Sequence, residues 1–318
     1  MPAEQLAEVS DLFILAAVLL YLLAMIGFAL DLAFGQVRAG TVATRARQPV
    51  AVGAGGGDEP PVQAGADVPA DAGSAAPRWA SKAALVALLL GWGAWAANLT
   101  AIVTRGLAVE RWPWANMYEF VVAICFAAAT AFLGTHLRYN VRFLGPFVML
   151  AAALGLGFAV KFLYTAAGPV VPALNSYWIA IHVSAAILAS GLFVLAGVTG
   201  ILYLVRGDGL SRLPSREYLE RVAHRAIVLA FPVWTFAVIA GALWADKAWG
   251  RYWGWDPKEV WSFITWVAYA AYLHARVTAG WRGRKATIVQ LIALACLLFN
   301  LVGVNIFISG LHSYADVG

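Results

Sequence analysis

The sequence predicts an all-α, polytopic membrane protein with about eight transmembrane helices and both termini on the outer side. Three observations predict it. The 318 residues are 62% hydrophobic and only 12% charged, about half the ~25% charge of soluble domains. Apolar runs near the ~20 residues needed to cross a hydrocarbon core recur eight times. Lys and Arg gather on one set of the loops between those runs, as they do on the inner side of membrane chains. In lipid only helices or closed barrels satisfy the backbone, and runs this long select helices.

The first run, 12–34, is too long for a signal-peptide core and no small-residue cleavage site follows it, so it is expected to be a permanent span. Residues 35–79 break the pattern. They are Ala/Gly/Pro-rich without periodicity and read as a disordered cytoplasmic linker, because such a composition buries too little apolar area to offset ordering entropy. Runs follow at 80–103, 117–134, 142–160, 178–204 and 226–244. The third opens on Asn116 with Glu119 three residues on, a capping-box-like pattern. The seventh, 261–279, is entered through Asp256 and Pro257, an N-cap followed by Pro at the first helical position, with Glu259 at the positive end of the helix dipole. The eighth is 287–309. The expected organisation is a first helix over 1–34, the linker, and a seven-helix domain over 80–318 with a Trp-rich outer loop at 244–261. Cys125 and Cys296 fall mid-run outside any C-x-x-C and read as small hydrophobes.

With eight spans both termini share a side. Of the 22 Lys and Arg residues, sixteen fall on one set of loops and six on the other, namely Arg105, Arg111, Lys161, Lys247, Arg251 and Lys258. The richer side is the inner one, which puts both termini outside. The net charge of +5 is therefore a topology signal, and no nucleic-acid partner is expected.

The stretch WGRYWGWDPKEVWSFITW, 249–266, holds five Trp, and Trp244 lies just upstream, so six of the fourteen Trp fall within 23 residues. Interfacial belts account for one or two per helix end, as at Trp112, Trp114 and Trp178. The surplus suggests a platform for a large flat apolar ligand. Lys247, Arg251 and Lys258 in the same patch invite an anionic one. Flat, apolar and carrying two carboxylates describes haem. A cap alone also suffices for Asp256.

The five histidines sort by depth. His182 lies about one turn inside the outer end of the fifth span, and His312 just beyond the outer end of the eighth. Two imidazoles at one depth can ligate one haem iron, although each taken singly is also an ordinary interfacial residue. His274 is thirteen residues into the seventh span, ~20 Å deeper at 1.5 Å per residue, and no other mid-span imidazole pairs with it. His136 and His224, beside Arg138 and Arg225, suit inner helix ends.

The Trp-rich stretch resembles the WWD signature of haem-handling proteins. Together with NMYEF, YAAYLHAR and GVNIFISGLHSYA it makes nearly all of 80–318 similar to the CcsA (ResC) family of the system II cytochrome c synthase. The resemblance implies haem b as substrate and ligand, with His182 and His312 as its axial ligands and Trp249, Trp253, Trp255, Asp256 and Trp261 in the haem-binding loop. It implies that His274 holds haem in transit, its counterpart histidine lying on a CcsB (ResB)-type membrane partner. Further implied are a bacterial plasma-membrane location, an apocytochrome c acceptor bearing Cys-x-x-Cys-His, and a thiol-reducing thioredoxin-like partner. The implied activity is holocytochrome c synthesis of the haem-lyase type, exerted only with the membrane partner. No side chain stands out as a general base. Two rivals remain: a haem carrier without attachment chemistry, and a b-type electron-transfer subunit. The second expects histidine pairs on facing helices at two depths.

Overall fold

The computed structural model describes residues 1–35, 78–168, 176–206 and 212–312; nearly all of the expected 35–79 linker lies outside the described residues. Within them every regular element is helical: α1 Ala3–Phe34, α2 Arg78–Ala108, α3 Met117–Arg138, a 3-10 turn Arg142–Leu144 leading into α4 Gly145–Phe162, α5 Tyr177–Val205, α6 Arg216–Trp249, α7 Pro257–Thr278 and α8 Gly283–Leu298. A π-helical segment, Phe299–Gly303, carries α8 into a last short turn, α9 Val304–Phe307. The chain is an all-α, multi-pass membrane protein. Seven of its helices, counting α8 to α9 as one, are long and apolar enough to cross a membrane.

α7 is the exception, because Lys258, Glu259, His274 and Arg276 dilute its apolar content. It nevertheless runs the length of the bundle. Its first residues join the ends of α6 and α9, while Arg276 near its last turn is paired with Glu220 in the first turns of α6. Glu220 also accepts the Gly283 N–H at the start of α8.

The helices have two distinct ends. At one, Asp11 of α1 accepts a hydrogen bond from Tyr164 after α4 and faces Arg105 of α2, which donates to Glu119 at the start of α3. The start of α5, the end of α6 and the chain after α9 share this end through the cavity described below. At the other, Asp31 pairs with Arg142 and Tyr218 donates to Asn140 O.

Helix ends differ from the apolar runs. α6 extends over 34 residues, ~51 Å at 1.5 Å per residue, against ~30 Å of hydrocarbon. Trp244 and Trp249, expected in a loop over 244–261, are helical. The connection shrinks to residues 250–256, because helical hydrogen bonding runs on until a residue stops it. That residue is Gly250, whose φ of 70° is left-handed and whose N–H closes the helix on Asp246 O.

α1 joins the bundle rather than standing apart. Ile14, Ala17, Tyr21, Ala24 and Phe28 are buried at alternating spacings of three and four residues, the seam of a close helix pair. Leu12, Leu15, Leu19, Leu23 and Ile26 on the opposite face are exposed, as a lipid-facing surface requires.

Candidate functional site

Between the start of α3, the start of α5, the end of α6, the start of α7 and the π segment lies a predominantly apolar cavity of about 1040 Å³, counting its open mouth. His182 and His312 both line it, with Trp114, Trp234, Trp244, Trp253 and Tyr252.

Each imidazole is held by its Nδ1. His182, in the second turn of α5, has Nδ1 2.7 Å from Ala237 O on α6. A carbonyl only accepts, so Nδ1 carries the proton and Nε2 the lone pair. The close approach of α5 to α6 depends on Gly241, one turn beyond Ala237: a Cβ there would stand 2.7 Å from His182 Cε1 and 2.8 Å from its Nδ1. His312 has Nδ1 2.8 Å from Asp256 Oδ2, and the carboxylate accepts from the proton-bearing Nδ1. Holding a histidine by one nitrogen to present the other is how metal-ligating imidazoles are oriented. The indole of Trp244 touches both rings, at centroid distances of 6.0 Å from His182 and 5.6 Å from His312. Trp249 closes on His312 at 4.9 Å.

Asp256 does two jobs: the cap reading of this residue holds, and the same carboxylate also meets His312. It caps α7 by accepting the Lys258 N–H, and the capping box is complete because Glu259 accepts the Asp256 N–H. It also accepts the Leu311 N–H at 2.7 Å and the His312 ring. Burial alone would raise its carboxyl; the His312 and backbone hydrogen bonds outweigh that and hold it below the usual carboxylate range.

The remaining expected site residues are spread more widely. Trp253 is on the cavity wall. Trp255 is 66% exposed and packs edge-on against Trp253 at 5.8 Å; its φ of 60° is a strained backbone state for a bulky residue. Trp261 packs on Phe299 at 4.3 Å, so its indole braces α7 against the π segment and is not among the lining residues. His274 is exposed on α7, sixteen residues past Lys258 and ~24 Å along the helix, away from the cavity.

Among the wall residues that sequence reasoning missed, three are instructive. Trp114 was assigned to an interfacial belt, yet Glu119 turns its loop inward: the carboxylate binds Arg105 at 2.8 Å, Arg111 at 3.0 Å and the Ala115 N–H at 2.8 Å. Trp234 sits mid-helix in α6 with no local signal. Gly241 gains its meaning only from a ring 59 positions earlier in the chain.

Polar atoms on the wall also speak for a ligand. Trp114 Nε1, Asn300 Oδ1 and Glu259 Oε1 are buried without a hydrogen-bond partner among the described residues, a cost that native structures rarely leave unanswered. Two oriented imidazoles and an aromatic wall fit a metalloporphyrin.

Known proteins resemble the chain as follows. Residues 114–312 match the family described as Cytochrome C assembly protein. The cytochrome c biogenesis protein CcsA of Gloeobacter violaceus is 31% identical over 293 residues, covering 71% of this chain and 86% of that protein. CcsA of Parasynechococcus marenigrum is 35% identical over 264 residues, covering 69% and 83%. Among solved structures, the cytochrome c haem lyase CcmF superposes with a TM-score of 0.58 at 16% identity, over 95% of this chain. The chain spans about half of that structure, 47% of its length, and the likeness is one of fold.

Proposed function

The chain belongs to the cytochrome C assembly protein family and groups with its CcsA members, and from that premise we propose that it presents haem b for covalent attachment to apocytochrome c. A multi-pass membrane protein of cytochrome c biogenesis handles haem; the finer reading concerns how. One observation carries it: His182 and His312 line a single aromatic cavity, each with Nδ1 engaged. In this reading the two imidazoles are the axial ligands of the haem iron. Trp244 and Trp253 wall the porphyrin, Trp249 packs behind them on Trp244 and His312, Trp255 at the rim and Trp261 behind the wall keep the loop in place, and Asp256 orients His312.

Haem is the substrate. Each acceptor thiol adds across a vinyl group, sulfur to the inner carbon and hydrogen to the outer, so the addition itself needs no oxidant. The chain contributes position: holding the ring while the Cys-x-x-Cys-His segment docks makes the attachment effectively unimolecular. The acceptor histidine then replaces one of the two imidazoles and product leaves.

His274, exposed on α7, is the transit ligand, completed by a histidine of a CcsB (ResB)-type membrane partner. The synthase activity belongs to the pair, and a thioredoxin-like protein keeps the acceptor thiols reduced. The Lys/Arg distribution supports an orientation with the cavity end and both termini outside, and the membrane in this reading is the bacterial plasma membrane. The test is reconstitution of the chain with its partner and a Cys-x-x-Cys-His acceptor. Covalent haem on the acceptor that requires His182 and His312 is expected. Bound haem without product would favour a carrier, and haem attachment indifferent to both histidines would overturn the reading.

A further inference from the structure

One of the six cations expected at the cavity end lines the cavity. Arg105 and Arg111 are taken up by Glu119. Lys247 is 64% exposed and faces Asp246 at 3.6 Å. The Arg251 guanidinium lies over Gly254 in the connecting loop, and Lys161 is exposed at the end of α4. Lys258 alone is on the wall with His182 and His312.

Its ammonium has an unusual set of partners. Nζ donates to Asn300 O at 2.7 Å and, at a long 3.4 Å, to Leu301 O. Both carbonyls belong to the π segment, where the irregular ladder frees acceptors, and such segments recur at functional sites. Leu301 O is shared, since Asn305 Nδ2 donates to it at 2.6 Å. Among the described residues no carboxylate oxygen comes within 4.0 Å of Nζ. An ammonium has three donors, and here one is well used and one weakly. A sequestered cation hydrogen-bonded only to neutral carbonyls, with the Asp256 carboxylate as a more distant counter-charge, is costly, and within a membrane chain such a group is by default functional.

We propose that Lys258 takes a carboxylate of the porphyrin substrate and thereby sets which edge of the ring faces the acceptor. This rests on the reading of the cavity as the haem site. Two axial imidazoles fix the iron but leave the ring free to turn about the axis through them, and apolar walls oppose that turning only weakly. One ammonium off that axis, on the side of α7 and the π segment, removes the freedom. The carboxylates of haem lie on one edge and the vinyls toward the other, so binding a carboxylate at Lys258 points the reactive edge away from the π segment. One rotational setting would then present the vinyl edge to the acceptor.

The test compares haem with its neutral dimethyl ester in absorbance titrations of the full chain in detergent. Wild type is expected to bind haem about tenfold more tightly than the ester, a difference of about 1.4 kcal/mol. Lys258→Met is expected to bind both porphyrins equally, at the affinity of wild type for the ester, and Lys258→Arg to keep most of the preference. If Lys258→Met retains the tenfold preference, or if wild type shows none, the carboxylate meets another group and the proposal is wrong while the haem site stands. The wild-type comparison decides even if Lys258→Met does not fold. If wild type takes up neither porphyrin, the reading of the cavity itself has failed.

Discussion

Replacing Gly241 with Ala should separate haem binding from folding. The new Cβ would stand 2.7 Å from His182 Cε1 and 2.8 Å from Nδ1, about 1 Å inside an ordinary carbon contact of 3.5–4.0 Å. The His182 ring can swing aside, but only by giving up its 2.7 Å hydrogen bond to Ala237 O. Losing that bond costs about 1 kcal/mol, and the Ala gains ~0.5–1 kcal/mol of helix stability over Gly. Thermal stability should therefore change little. Ligation should suffer, because orienting contacts to a metal-bound histidine are typically worth 10- to 100-fold in affinity. The assay is haem titration followed in the Soret region, beside a thermal melt of the same sample. Gly157→Ala, where a Cβ meets nothing within 4 Å, is the control and should bind as wild type. Wild-type affinity and spectrum in Gly241→Ala would show that the held position of His182 does not matter to haem.

Other outcomes follow from the same geometry. Asp256→Asn should weaken haem binding about tenfold or more, through loss of the carboxylate that orients His312. Because the Asp256 carboxyl is held below its ordinary value, its contribution to stability is full above the unfolded value of ~3.9 and is lost as pH falls through the lower folded value. The gap in melting temperature between wild type and Asp256→Asn should thus be widest at neutral pH and close in acid, as melts from pH 3 to 7 would show. Arg276→Met strands the largely buried Glu220 carboxylate and should cost about 3–5 kcal/mol, whereas Lys247→Met, at an exposed pair, should be nearly neutral in the same denaturation experiment. Glu119→Gln removes the charge shared by Arg105 and Arg111; hydrogen exchange over residues 109–116 should quicken as the loop bearing Trp114 loosens.

What could be read in advance follows from the reach of each physical constraint. A hydrocarbon slab imposes a length on every crossing segment, so the eight long helices were legible as apolar runs. Their ends were not, since lipid ends where apolarity ends but a helix stops only at a residue such as Gly250. His182 and His312 could be matched in depth by counting residues inward from span ends, and the fold brings them to one cavity. The counting carried no information about lateral neighbours. Ala237 and Gly241 lie more than fifty positions from His182, and nothing local marks them. Trp112 and Trp114 looked alike in sequence, but the first is 63% exposed and the second lines the cavity, because Glu119 ties the chain between them and α3. Trp261 looked like its neighbours in the motif; only the packing of α7 on Phe299 turns it from the cavity.

The most direct test of the central claim is the absorption spectrum of haem bound to the purified chain and to its His182→Gly and His312→Gly variants, each with and without added imidazole. Wild type should show six-coordinate, low-spin haem; each variant should lose that signature and regain it when imidazole fills the gap. A low-spin spectrum unchanged in both variants would contradict the account.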